Sequence, residues 1–180
     1  AEQFLYLPAL GQTKPIKGSQ KSGYFMGTDF TFDDLKKENS TEYTFTRQFD
    51  DTYRGRECYV ILSAPADLQK EEIKGYSSRM IYVDKENLQI LKMEFYNENQ
   101  DLSKTFEAED YNSSKVDGPT ERPHRAIMRN HDTGSISIMT LERSHLDYQI
   151  DPNIFTVQAV ESWTPQWTQM YLDVFNTPQK

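Results

Sequence analysis

The stretch "SGYFMGTDFTFDDL" (22–35) is the first place in this chain whose residue types suggest chemistry. It sets three carboxylates, Asp29, Asp33 and Asp34, in a segment framed by two glycines. Acids this close together are the raw material of a hard-cation site. Calcium loops, however, space their ligands at every second residue, and these positions do not keep that rhythm. The local alternative is capping. Thr31 stands where a helix cap would, and Asp33 and Asp34 fall in the first turn behind it, where the helix dipole favours negative charge. Asp29 is then expected to brace the preceding turn by bonding backbone amides. Capping is the better account of all three.

The other reactive types offer less. His124, His131 and His145 lie near polar turns, the first two flanking one predicted strand; two of them with Asp132 could hold a metal in principle, but the spacing matches no tight site. The single cysteine, Cys58 in "RGRECYVILS", has no partner for a disulfide or a CxxC pair. Its neighbours Tyr59, Val60 and Ile61 are apolar, which predicts a buried thiol with no chemical task. No nucleophile elbow, phosphate loop, dinucleotide fingerprint or zinc-protease motif is present. The chain reads as no enzyme, with no cofactor and no metal.

Aromatic and methionine side chains remain. Phe30 and Phe32 alternate with Asp29 and Thr31, as on a short extended segment, and with Leu35 they are expected to plug one side of a sheet. Tyr24, Phe25 and Met26 sit on a glycine-flanked loop, where adaptable apolar side chains suit the gate of an oily groove.

The elements that must position them are strands. Alternation in "EYTFTRQF" puts Tyr43, Phe45, Arg47 and Phe49 on one face of a half-buried strand. "ECYVILS" (57–63) is apolar throughout and reads as a strand covered on both faces. "YSSRMIYVD" (76–84), "LQILKMEFYN" (88–97) and "LSKTFEAEDY" (102–111) follow at hairpin spacing, separated by "KEN" and "ENQD". After the long polar loop 112–123, "HRAIMRNH" (124–131) and "SISIMTLER" (135–143) flank a "DTG" turn. Helix signals are few: "TFDDLKKEN", "PADLQKEEI", and "TPQWTQMYLDVF" near the end. The prediction is a mainly β (α+β) fold: one curved antiparallel sheet with a few short helices. Such a sheet must cover its apolar concave face or offer it to a ligand.

Bulk properties narrow the classes. A chain of 180 residues is enough for one domain with a sizeable core. The net charge of −8 argues against nucleic acid, which is held by neutralising phosphates. No run approaches the roughly 20 apolar residues of a membrane helix. The chain opens "AEQFLYLPAL", with neither a basic start nor a long apolar run.

The opening block "FLYLPALGQTKPIKGSQKSGYFMGTDFTFDDL" resembles a signature of the bacterial outer-membrane lipoprotein-sorting family, the LolA-like proteins. The likeness continues through "YSSRMIYVDKENLQILKMEFYNENQDLSKTF", "RPHRAIMRNHDTGSISIMTLE" and "IDPNIFTVQAVE", covering about 1–161. The resemblance implies an incomplete barrel whose mouth is covered by helices and whose cavity takes lipoprotein acyl chains across the periplasm. It also implies a leader peptide that is absent here, an N-terminal helix and first strands that are missing, and an inner-membrane transporter as a possible partner. The tail 162–180 has no counterpart in the family pattern and is expected to be a separate helical segment.

Two functions follow as expectations. The first is a non-enzymatic periplasmic carrier for lipoprotein acyl chains or other lipid. Its wall residues would be Phe30, Tyr43, Phe45, Tyr59, Ile61, Met80, Tyr82, Met93 and Phe95, gated by Tyr24, Phe25 and Met26. Alternation does not say which face is concave. The second is an interaction module that docks on an envelope transporter or assembly and holds no ligand, with Trp163 and Trp167 as its contact.

Overall fold

The computed structural model describes residues 2–36, 38–67, 75–111, 123–142, 151–163 and 169. The fold is mainly β. A two-stranded ribbon comes first, β1 (Gln3–Leu7) against β2 (Gln12–Ile16). The main sheet follows: β3 (Tyr43–Arg47), β4 (Asp51–Tyr53), β5 (Arg56–Pro65), β6 (Ser78–Asp84), β7 (Ile90–Tyr96), β8 (Leu102–Glu109), β9 (Arg125–Asn130) and β10 (Ile136–Thr140). A short helix, α1 (Val157–Glu161), follows them. Every pairing is antiparallel, in the order β10-β9-β8-β7-β6-β5-β3, with β4 also on β5. The two ends are not joined among the described residues, so the barrel is incomplete. Register shifts at Tyr82/Val83 and Phe95/Tyr96 add local bend and twist.

Strands β3 and β5 to β10 sit where alternation and turn chemistry put them. The β4–β5 hairpin turns on Arg54 and Gly55, both with positive φ (49° and 79°), the twist that tight hairpins require. Gly134, at φ 74°, does the same service before β10. Cys58 is fully buried and free, as its neighbours predict, and burial raises its thiol pKa.

The register fixes which side chains share a face. One cross-sheet row runs Ile61, Ile81, Met93, Phe106, Met128. The next runs Ser63, Arg79, Phe95, Lys104, Asn130. Segment 22–36 lies across this face. Phe30, only 4% exposed, packs into a cluster with Phe95 and Met128.

Three expectations need correction. "TFDDLKKEN" forms no helix. The capping pair does form: Thr31 N–H donates to Asp34 Oδ2 (2.7 Å) and Asp34 N–H to Thr31 Oγ1 (3.2 Å). Yet only turns follow: Lys36 N–H closes back on Asp33 O (3.3 Å), while the Phe32 and Asp33 amides, which a helix start would leave unpaired, bond Gly23 O and Lys21 O. Phe49 leaves the strand face and is 95% exposed beyond β3, which is itself mostly exposed. Leu35 stays partly exposed and plugs nothing. The ribbon β1–β2 as a separate sheet, β4 and α1 were not foreseen from the pattern. The expected helices in "PADLQKEEI" and "TPQWTQMYLDVF", the loop 112–122, His145 and Trp167 lie outside the described residues.

Candidate functional site

Between segment 22–36 and the sheet lies a chamber of about 330 Å³, at the lower end of the roughly 300–1,000 Å³ of ligand pockets. Ile81, Met93, Phe95, Phe106 and Met128 from the sheet line it with Phe30, beside the buried polar side chains of Thr31, Asp34 and Ser63. Its mouth is ionic. Arg79 pairs with Glu38 (2.5 Å) and lies 4.4 Å over the ring of Tyr43, while Lys36 pairs with Asp33 (2.9 Å). An oily interior behind a charged rim is an arrangement for holding an apolar tail whose polar end stays near water.

Of the wall residues read from the sequence, Phe30, Tyr43, Met93 and Phe95 line this chamber. Phe45, Tyr59 and Ile61 share the same sheet face by register but lie outside the lining. Phe45 is half exposed, and the Tyr59 ring is covered by the Arg47 guanidinium at 4.7 Å. Met80 and Tyr82 are on the opposite face. Ile61 pairs with Ile81, so the even-numbered residues of β6 point away; Tyr82 packs there against Tyr53 and Lys92. A one-residue error of parity is all that separates the two faces.

The gate trio is placed differently again. Tyr24 pairs with Thr31 across a tight hairpin whose turn, Met26 and Gly27, has positive φ at both positions (50° and 77°). Met26 is 70% exposed at the tip, Phe25 stacks edge-on against Phe32 at 5.5 Å, and the Tyr24 hydroxyl accepts a hydrogen bond from Asn130 Nδ2 (2.9 Å). None of the three lines the chamber. They belong to the cover, not to the wall.

What fastens that cover is a residue the pattern did not single out. Lys104, 4% exposed in mid-strand, donates from Nζ to the Asp29 carbonyl (2.8 Å) and the Tyr76 hydroxyl (3.1 Å), and faces the Tyr24 ring at 4.5 Å. Burial lowers its pKa against the pull of Asp34 and Asp29. Burial likewise raises the Asp34 carboxyl, and burial with the Asp34 charge raises the Tyr76 phenol. Asp29 does not brace its own turn. Its carboxylate accepts from Ser135 Oγ (2.5 Å) and Ser137 Oγ (2.7 Å) of the β9–β10 hairpin, and its N–H donates to Ser137 Oγ (2.9 Å). These bonds span more than a hundred residues of chain, out of reach of any local reading.

Burial opposes the Asp29 charge, but the serine hydroxyls, Asn130 and Lys104 outweigh it and hold its pKa below the ordinary value. A depressed carboxylate stabilises the fold above its unfolded value of 3.8 and loses that contribution as pH falls through the folded one. Ser137→Ala is therefore expected to cost about 1.5–3 kcal/mol at neutral pH, and progressively less as pH falls below 3.8, read by denaturant unfolding across that range.

Among the described residues no group of His, Cys, Asp and Glu could hold a metal, and no helix is long and apolar enough to cross a membrane. His131 Nε2 lies 2.8 Å from Thr105 Oγ1 and serves only that contact.

The crystal structure of an outer membrane lipoprotein-sorting protein domain from Vibrio parahaemolyticus is similar over 89% of this chain and 66% of its own, with TM-score 0.80 and 29% identity. A DUF1329 family protein from Desulfovibrio piger is similar over 88% and 64%, with TM-score 0.73 and 23% identity. A LolA superfamily protein from Nitrosomonas europaea is similar over 88% and 67%, with TM-score 0.62 and 19% identity, a likeness of fold. A family model described as "Uncharacterized protein" matches residues 1–162. The chain belongs to that family, and its fold is LolA-like. No curated protein matches its sequence significantly. This LolA-like chain spans about two thirds of the length of the structures it resembles. Its open sheet, with segment 22–36 laid across one face, holds the chamber.

Proposed function

We propose that this protein is a non-enzymatic carrier of the bacterial periplasm that holds the hydrocarbon chain of a lipid or lipoprotein in the chamber under segment 22–36. The observation that carries this reading is the chamber itself: a space of about 330 Å³, lined by Ile81, Met93 and Phe106 as well as by polar side chains, left open in a face otherwise packed by Phe30, Phe95 and Met128. An interaction module without a ligand has no use for that space. Taking about 30 Å³ for a water-sized group, it has room for about ten methylenes. Burying them contributes roughly 8 kcal/mol before the costs of ordering the chain and the protein. The similarity to a domain named for lipoprotein sorting supports the cargo class and the envelope location. The family 1–161 domain and a separate tail after it belong to the same proposal, as does docking on an inner-membrane transporter for loading.

Native mass spectrometry of protein purified from its host, with solvent extraction of bound lipid, tests the proposal. The expected result is a co-purifying amphiphile bound in a fixed ratio. Repeated absence of any such species, together with no affinity for acyl probes, would overturn it.

A further inference from the structure

The charged side chains that line the chamber do not balance. Lys36 pairs with Asp33 (2.9 Å) and Arg79 with Glu38 (2.5 Å), which leaves Asp34 as a lining acid with no ion pair among the described residues. Asp34 is not a rim group. It meets the hydroxyl of Tyr76 (3.5 Å), whose ring stacks on the buried Phe95 at 4.4 Å.

Both hydrogen bonds to its carboxyl fall on Oδ2, the long one from Tyr76 and a short one from the Thr31 N–H (2.7 Å). Oδ1 accepts none among the described residues. The fully enclosed polar atoms that lack a partner do not include it, so Oδ1 keeps surface that a guest in the chamber can reach. Burial already raises the carboxyl above its ordinary value, against the pull of Thr31 and Lys104.

The chemistry of the guest follows from what could meet that oxygen. A plain methylene chain would strip it of water and give nothing back, a cost for any buried acceptor. An anionic group would be repelled by it. An ammonium would meet the charge of Lys104, which already faces Asp34, and those of Lys36 and Arg79 in the same lining. A hydroxyl brings a donor without a net charge, and a bond from a hydroxyl to a carboxylate is among the strong ones.

We infer that Asp34 sets the specificity of the chamber: Oδ1 accepts a hydrogen bond from a hydroxyl on the guest's hydrocarbon chain, so the cargo is a hydroxylated acyl chain. The inference rests on the acyl-chain reading of the chamber and narrows its substrate class. It also accounts for an acid kept unpaired on the chamber wall while its neighbour Asp33 is matched by a lysine.

The test is displacement of a fluorescent acyl probe from the full chain at neutral pH by dodecanoate, ω-hydroxydodecanoate, β-hydroxydodecanoate and ω-aminododecanoate. A wall without an acceptor would bind the hydroxylated chains more weakly, because their hydroxyl would lose water with no replacement. The proposal expects at least one of the two to bind about tenfold tighter than dodecanoate. Asp34→Asn keeps the shape and an oxygen for the Thr31 N–H but removes the charge, and should reduce that preference to about threefold or less. Asp34→Leu should reverse it; if that variant does not fold, Asp34→Asn alone decides. Hydroxylated chains that bind no tighter than dodecanoate overturn the assignment and leave the chamber reading standing. A preference that survives Asp34→Asn undiminished overturns it too, as does tighter binding of ω-aminododecanoate than of its hydroxyl counterpart. Failure of every one of these chains to displace the probe sinks the chamber reading, and this inference with it.

Discussion

Lys104→Met is expected to destabilise the protein by about 3–5 kcal/mol, a fall in melting temperature of roughly 6–20 °C for a chain this size. The side chain is nearly as long, so the loss is one of charge and hydrogen bonds, not of packing. Lys104 bonds the Asp29 carbonyl and the Tyr76 hydroxyl, and its charge faces both Asp29 and Asp34. Removing it leaves the buried Asp34 carboxylate without that favourable charge, held by the Thr31 N–H (2.7 Å) and a long bond from the Tyr76 hydroxyl (3.5 Å). The pH dependence follows in sign. The Asp34 pKa is raised in the fold by burial, so protonation favours the folded state, and its contribution becomes more favourable as pH falls through the raised value toward 3.8. The Lys104→Met defect should accordingly shrink on acidification. Adding Asp34→Asn should restore part of the lost stability at neutral pH, a coupling that thermal unfolding of the two single variants and the double variant would measure. Additive losses would show that Lys104 does not act through Asp34.

Met93→Trp is expected to weaken binding of a single-chain acyl probe by about tenfold or more, while changing stability by no more than about 1–3 kcal/mol. Met93 lines the chamber and is only partly buried against the Phe30, Phe95 and Met128 cluster, so an indole there grows into open volume. The variant separates two uses of the same face. Phe95, 2% exposed and stacked on Tyr76 at 4.4 Å, is structural first: Phe95→Ala would cost about 3–5 kcal/mol and confound any binding measurement. Met93 is where the cavity can be closed without dismantling its wall. Equilibrium titration beside a denaturant melt reads both quantities, and undiminished affinity in a folded Met93→Trp would place the ligand elsewhere.

The strands of the main sheet were legible because each is a run of alternating or continuous apolar residues ended by a polar turn. Alternation also grouped Tyr43 with Phe45, Tyr59 with Ile61, and Met93 with Phe95 correctly. It could not align one strand with the next. That is why Met80 and Tyr82 were grouped with residues of the other face, since register is set by pairing and bulges that no single strand reveals. Ile81, between them in sequence, was the side chain to choose. Lys104 was missed for a related reason: a lysine inside "LSKTFEAE" reads as solvent-facing until the cover is laid over it. Of the three acids read as capping groups, only Asp34 pairs with Thr31 as a cap does, and over turns, not a helix; Asp29 works across the sheet on serines and Asp33 pairs with Lys36.

A guest chain that enters this protein must touch the side chains on one side of the sheet and leave those on the other untouched. Methyl NMR of protein stripped of lipid and titrated with dodecanoate observes that contact. Saturable shifts at Ile81, Met93 and Met128, with Met80 silent across the sheet as an internal control, are the expected outcome. Shifts confined to Met80 or to the exposed Met26 and Met139, or no saturable change at all, would contradict a chamber built for hydrocarbon.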